Sequence, residues 1–108
     1  MSQEKNIILS QRSGLSIEQC SCCDNIVLYY ENLLLKFSPE GFIKFGESFR
    51  KLNFDRRSMT FGDGKEKLVV NTTQKEIQLC FTKSEFDLVC EALKEAAVML
   101  EVNQLLYD

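Results

Sequence analysis

The sequence predicts an α+β fold, in which a single domain over residues 1–108 forms a mostly antiparallel sheet with two helices on one face. Two segments, at residues 32–49 and 76–93, both show the pattern of a strand that runs directly into a helix. Short alternating segments before each of them predict further strands, which gives the order ββββαβββα. With 108 residues, of which 44% are hydrophobic, the chain has enough apolar surface for one core and not for two.

The first half of the chain predicts two hairpins before its helix. We predict strands at residues 6–12, 15–21, 26–30 and 33–37. Ser13 and Gly14 favour a turn between the first two strands, because serine and glycine are common turn residues. Glu31 and Asn32 leave only a short connection between the last two, which is typical of a hairpin.

Local patterns at its start predict the first helix. Ser38 has a side chain suited to cap a helix, and Pro39 follows at the first helical position, where its missing N–H costs nothing. Phe37 can pack on Phe42 across this helix start. The helix then continues an apolar stripe, which consists of Phe42, Phe45, Phe49 and Leu52.

The second half of the chain repeats these features. We predict strands at residues 58–61, 67–71 and 76–81, with a turn in the segment GDGK between the first two. Thr82 and Glu85 have the spacing of a capping box at the start of the second helix, and Phe81 can pack on Phe86. The apolar stripe of this helix consists of Phe86, Val89, Cys90, Leu93, Ala97 and Leu100.

The two strand–helix units resemble each other at a constant offset of 44 residues. The aligned apolar pairs are Leu33 with Ile77, Leu35 with Leu79, Phe37 with Phe81, Phe42 with Phe86, Phe45 with Val89 and Phe49 with Leu93. A period that occurs twice indicates an internal duplication, whereas a solenoid needs more repeats. We therefore interpret the chain as two related β-β-α halves.

The predicted second helix carries apolar residues beyond its core stripe. They are Val98, Met99, Val102, Leu105, Leu106 and Tyr107. A helix of roughly 23 residues would be ~35 Å long, which is more than a small sheet can cover. We therefore expect its end to contact a second copy of the chain in a homodimer, or another protein partner. The alternative is that this end wraps around the edge of the sheet.

The composition argues against several classes of function. The chain has no histidine, which removes Ser–His and Cys–His catalytic pairs and every imidazole metal site, so we expect a protein that is not an enzyme. The net charge of −3 argues against a nucleic-acid partner, which lysine and arginine would have to bind. Its apolar stretches fall far short of the ~20 residues that cross a bilayer. The N-terminus lacks the pattern of a secretory signal, so we expect no membrane association and a cytoplasmic location.

Three of the five cysteines, Cys20, Cys22 and Cys23, lie within four positions, and Cys20 and Cys23 form a C-x-x-C pair. Five is an odd number and the cytoplasm keeps thiols reduced, so we do not expect a disulfide framework. A redox pair needs its first cysteine at the N-terminus of a helix, whereas the residues after Cys23 read as a strand. The sequence therefore argues against redox catalysis.

Metal binding and a structural role are the remaining interpretations of the C-x-x-C pair. Cys20 and Cys23 have the spacing of half a zinc site, and zinc takes four ligands. Cys80 and one more ligand could complete the set across the sheet, or two chains could each contribute Cys20 and Cys23 at a dimer axis. In a strand that alternates, Cys22 would point away from both.

In the structural interpretation, which we favour, the cysteines act as small hydrophobic residues. Cys90 lies on the apolar stripe of the second helix and is expected in the core. Cys80 is out of phase with Leu79 and Phe81, so we expect it on the other face of the sheet.

The chain resembles a family of small bacterial proteins, found mainly in Bacteroidetes, that carries a domain-of-unknown-function label. The resemblance lies in Cys20 and Cys23, in the run NIVLYYENLLLKFSPEGFIKF that follows them, and in the second strand–helix unit. It implies a compact bacterial cytoplasmic domain, and it implies no activity, ligand or site residue.

Taken together, these patterns predict a small non-catalytic interaction or regulatory module that acts through protein–protein contacts. The alternative is a zinc-binding protein that uses Cys20 and Cys23, either within one chain or in a four-thiolate site shared across a dimer.

Overall fold

The computed structural model describes residues 6–107 and confirms both the α+β class and the order of the elements. Its elements are β1 (Ile7–Arg12), β2 (Leu15–Gln19), β3 (Ile26–Tyr30), β4 (Leu33–Phe37), α1 (Pro39–Arg50), α2 (Phe54–Arg57), β5 (Ser58–Thr60), β6 (Glu66–Asn71), β7 (Gln78–Phe81) and α3 (Lys83–Tyr107). The sequence patterns did not predict α2, which is a single helical turn. Asn53 caps the start of this turn, because its side chain accepts a hydrogen bond from the Arg56 N–H.

The strands divide between two antiparallel sheets, where the sequence led us to expect one. The first sheet has the order β1-β2-β3-β4 and the second has the order β5-β6-β7. Both are simple meanders, because within each sheet every strand pairs with the next strand along the chain. Two helices, α1 and α2, intervene between β4 and β5, and β5 pairs with β6 instead of with β4. The position of the second sheet therefore depends on helix packing and not on strand pairing.

The predicted turns within the sheets are present. Gly14 connects β1 to β2 with a φ of 74°, a conformation that glycine adopts at low cost. Glu31 connects β3 to β4 with a φ of 57°. In β1 the pairing register shifts between Ile8 and Ser10, and this bulge lets the adjacent residues Leu9 and Ser10 both be buried.

Both predicted helix caps are confirmed. The Ser38 hydroxyl accepts a hydrogen bond from the Gly41 N–H at 3.0 Å, and Pro39 is the first residue of α1. Thr82 and Glu85 form the reciprocal pair of a capping box. The Thr82 N–H donates to Glu85 Oε1 at 2.7 Å, and the Glu85 N–H donates to the Thr82 hydroxyl at 3.3 Å.

The core joins both halves of the chain around α3. This helix contacts β1 and β2 of the first sheet, β6 and β7 of the second sheet, and α1. Its most deeply buried residues include Val89, Ala92, Leu93, Ala96 and Leu100. The structure buries Phe86, Val89, Leu93 and Leu100 of the predicted stripe and leaves Cys90 and Ala97 partly exposed. Ala92 and Ala96, which the prediction omitted, are fully buried.

Phe49 of α1 connects this helix to the second half of the chain. Its ring centroid lies 5.4 Å from that of Phe81 and 5.1 Å from that of Phe86, and the side chain is 2% exposed. On the same helix, a Cβ added to Gly46 would lie 4.0 Å from Leu93 Cβ, so α1 and α3 are packed closely here.

The last turns of α3 extend beyond the core. Val98, Val102, Leu105 and Leu106 are exposed, and Leu105 is 80% exposed. The helix end therefore does not wrap around a sheet edge, which was the alternative interpretation. No helix within residues 6–107 has the length and apolar character needed to cross a membrane.

We predict that Phe49→Ala lowers the free energy of unfolding by about 3–5 kcal/mol, because it removes a buried ring and leaves a cavity where the two halves meet. Phe61→Ala is the matched control, since Phe61 is only partly buried and lies outside the core cluster. Urea unfolding followed by circular dichroism measures both losses. Equal losses for the two variants would contradict the assignment of Phe49 to the core.

Candidate metal centre

The clustered cysteines lie in the hairpin loop that connects β2 to β3. The sequence patterns placed a strand through residue 21, whereas β2 ends at Gln19 and β3 begins at Ile26. The Cys20 N–H donates to the Asn25 carbonyl at 2.8 Å, and the Asp24 N–H donates to the Cys20 carbonyl at 3.1 Å. Asp24 has a φ of 62°, a left-handed conformation that aspartate tolerates better than most residues. These backbone bonds fold residues 20–25 into a compact turn, which we call the cysteine turn.

The cysteine turn brings three sulfur atoms together. The Sγ atoms of Cys20 and Cys22 are 3.0 Å apart, and those of Cys20, Cys22 and Cys23 all lie within 4.8 Å of one another. The expectation that Cys22 points away from the pair is therefore wrong. Alternation holds only in an extended strand, and these residues form a turn.

Cys22 is the site residue that the sequence reasoning missed, although a signal for it was present. Asp24 and Asn25 are both residues that favour turns, and they stand directly between the cysteines and the start of β3. A turn at this point ends the strand before Cys20, and it removes the reason to separate Cys22 from Cys20 and Cys23.

The spacing of the sulfur atoms suits a thiophilic metal ion. Zinc bonds thiolate sulfur at about 2.3 Å, so two sulfur ligands of a tetrahedral zinc are about 3.8 Å apart. The 3.0 Å between Cys20 and Cys22, and the 4.8 Å limit on all three separations, bracket that value. Small side-chain rotations would bring the three sulfur atoms to zinc-binding distances.

Hydrogen bonds in the turn favour the thiolate form of Cys20. They lower the pKa of this thiol from 9.0 to about 7. The largest contribution comes from the Cys22 side chain, the next from the Cys23 side chain, and further contributions come from the backbone N–H groups of Cys22 and Cys23. All of these groups belong to the turn itself, so no helix N-terminus is needed to lower the pKa of this thiol.

The other two cysteines do not join this cluster. Cys90 is partly buried on α3 and packs against the core, and burial raises the pKa of its thiol to about 11. Cys80 is exposed on β7 while Phe81 beside it is buried, as the predicted alternation requires. Among residues 6–107, no fourth histidine, cysteine or carboxylate side chain completes the group of three.

A cavity of about 310 Å³ separates the cysteine turn from the end of α3. Gln19 at the end of β2 and Asp24 of the turn line it on one side, and Leu100, Asn103 and Gln104 line it from α3. The cysteine turn and the exposed end of α3 therefore lie at the same end of the molecule.

We predict that the alkylation rate of Cys20 by iodoacetamide rises with a midpoint near pH 7, because the thiolate is the reactive form. Cys22→Ala removes the largest cause of the lowered pKa and moves the midpoint toward the ordinary value of 9.0. Mass spectrometry of the peptide that contains Cys20 measures the rate in both proteins. The same midpoint in both would contradict this account of the turn.

The comparisons with known proteins give one match. No curated protein and no solved structure matches the chain. The model of a family described as "Family of unknown function (DUF6686)" matches residues 1–108. This confirms the resemblance to an uncharacterised family, and the chain therefore belongs to that family of unknown function.

Proposed function

We propose that this chain is a non-catalytic protein-interaction module organised around a zinc ion, which the thiolates of Cys20, Cys22 and Cys23 bind. The convergence of their three sulfur atoms within 4.8 Å is the observation that carries this proposal. A cluster of thiolates on a surface turn is a typical soft-metal site, and a metal bound there would stabilise the fold.

Three thiolates from one chain leave one position of a tetrahedral zinc for a group from outside the cluster. That group would be a water molecule or a side chain of a docked protein. The proposal therefore differs from a site in which two chains each supply Cys20 and Cys23, because Cys22 supplies the third thiolate within the chain. The two arrangements differ in stoichiometry, with one zinc per chain against one zinc per two chains.

The docking surface in this proposal is the exposed end of α3, and its occupant is a second copy of the chain. Val98, Val102 and Leu105 follow one another at intervals of four and three residues, so they lie on one side of the helix. An exposed apolar stripe of this kind is typical of a protein–protein contact. The stripe lies near the same end of the molecule as the cysteine turn, because Asp24 of the turn and Asn103 of α3 line one cavity.

The origin and setting of the protein are part of the same proposal. An internal duplication is supported by matching boundaries, since β4 and α1 meet at residues 37–39 and β7 and α3 meet 44 residues later. We further propose a bacterial cytoplasmic protein without a nucleic-acid partner. The five cysteines suit a reducing compartment, and the net charge of −3 disfavours phosphate.

We predict that the reduced, metal-free chain binds Co²⁺, a spectroscopic substitute for zinc, at one ion per chain with thiolate charge-transfer absorbance. Replacing Cys20, Cys22 or Cys23 by alanine should weaken binding by more than the roughly 10–100-fold that loss of an outer-shell partner costs. Competition with Zn²⁺ then gives the zinc affinity of each protein.

The matched control for this titration is Cys80→Ala, which removes an exposed cysteine outside the cluster and should leave binding unchanged. A saturation point at half an ion per chain that is unaffected by Cys22→Ala would contradict the three-thiolate site and favour a shared one. No thiolate absorbance at any Co²⁺ concentration would refute metal binding at this turn.

We predict that the zinc-loaded chain is a dimer in sedimentation experiments and that Leu105→Glu converts it to a monomer. A buried carboxylate at the contact would have no partner and would oppose association. Ile77→Glu is the control, because Ile77 is 55% exposed and lies before β7, outside the stripe. A monomer at every wild-type concentration would rule out the dimer.

A further inference from the structure

The close approach of Cys20 and Cys22 has a second chemical consequence that does not depend on metal. Their Sγ atoms are 3.0 Å apart, and a disulfide bond is about 2.05 Å long, so a movement of about 1 Å would join them. Cys22 is exposed and Cys20 is partly exposed, at the tip of a hairpin. A small reagent in solvent can therefore reach the pair.

We propose that Cys20 and Cys22 form a reversible disulfide by exchange with a low-molecular-weight disulfide such as oxidised glutathione. The reaction is a second activity of the cysteine turn, and the sequence reasoning had argued against it because no helix follows the cysteines. The structure removes that objection on geometric grounds, since the Sγ atoms of Cys20 and Cys22 lie 3.0 Å apart within one turn and can exchange without a helix beside them.

The reaction proceeds in two exchange steps. The Cys20 thiolate attacks one sulfur of the small disulfide, which forms a mixed disulfide at Cys20 and releases one small thiolate. The Cys22 thiolate then attacks the Cys20 sulfur, which forms the Cys20–Cys22 bond and releases the second small thiolate. The two cysteines lose two electrons and two protons, and the small disulfide gains both and leaves as two thiols.

The hydrogen bonds that hold the turn are compatible with this bond. Two of them join the backbone N–H and carbonyl of Cys20 to Asn25 and Asp24, and neither of these two uses a sulfur atom. The turn can therefore keep its shape while Cys20 and Cys22 are joined. Cys23 remains as a thiol, because the bond consumes only its two neighbours in the cluster.

A disulfide here would also control the metal site, and this consequence rests on the proposed zinc function. Two of the three sulfur ligands would be joined to each other and could no longer bind zinc as thiolates. Oxidation would release zinc, and bound zinc would protect the pair from oxidation. The cysteine turn would then report the thiol–disulfide state of the cell.

The test uses the full-length chain after chelator treatment, so that its result does not depend on metal. The protein is equilibrated in buffers with graded ratios of reduced to oxidised glutathione, trapped with N-ethylmaleimide and analysed by intact mass and peptide fragmentation. As the buffer becomes more oxidising, we expect two thiols to be lost together, with no glutathione attached to the protein. The segment between Cys20 and Cys22 should then give no fragment ions. Cys80→Ala, which removes an exposed cysteine outside the cluster, should behave like the wild type.

Replacing Cys22 tests whether the internal bond joins Cys20 to Cys22 or forms without Cys22. Cys22→Ala and Cys22→Ser should both lower the equilibrium constant for internal disulfide formation by about tenfold or more, which corresponds to about 30 mV for a two-electron couple. A stable glutathione adduct on the wild-type chain would overturn the proposal. An internal bond that forms equally well in both Cys22 variants would also overturn it. The Co²⁺ titration of the reduced chain tests the zinc site separately, so either proposal can fail alone.

Discussion

The structure depends on the packing of both sheets against one helix, α3. Within residues 6–107 the two sheets share no strand pairing, so hydrogen bonds between strands do not hold these halves of the chain together. Instead, α3 contacts strands of each sheet and also α1. Ala92 and Ala96 keep its surface narrow at these contacts, and Leu93 packs at Gly46 of α1. Each sheet buries its apolar face on this helix, which no sheet of this size could bury alone.

The same packing positions the candidate site. Because β1 and β2 lie against α3, the loop that follows β2 reaches the end of this helix, and the cavity lined by Asp24 and Asn103 lies between them. With 25 residues, α3 is longer than the core against which it packs. Its last turns therefore remain exposed, at the same end of the molecule as the cysteine turn. Three thiols and an apolar helix end thus lie at the same end of the molecule, although about 80 residues separate them in the sequence.

Features that arise from neighbouring residues could be predicted from the sequence, and features that arise from packing could not. The caps at Ser38 and Thr82 involve residues three positions apart, and both are present. The division into two sheets depends on where α1 and α2 carry the chain, which no local pattern encodes. The clustered cysteines include one pair that the sequence identified and one residue that it missed. Cys20 and Cys23 were identified by spacing, whereas Cys22 was excluded by extending a strand two residues too far.

X-ray absorption at the zinc edge of the zinc-loaded, reduced chain tests the central claim most directly, because it counts the atoms bound to the metal. The three-thiolate site predicts three sulfur neighbours at about 2.3 Å and one oxygen or nitrogen neighbour at about 2.0–2.2 Å. In Cys22→Ala the sulfur count should fall to two. Four sulfur neighbours in the wild type, or a count that Cys22→Ala leaves unchanged, would contradict the claim that this turn alone supplies three ligands.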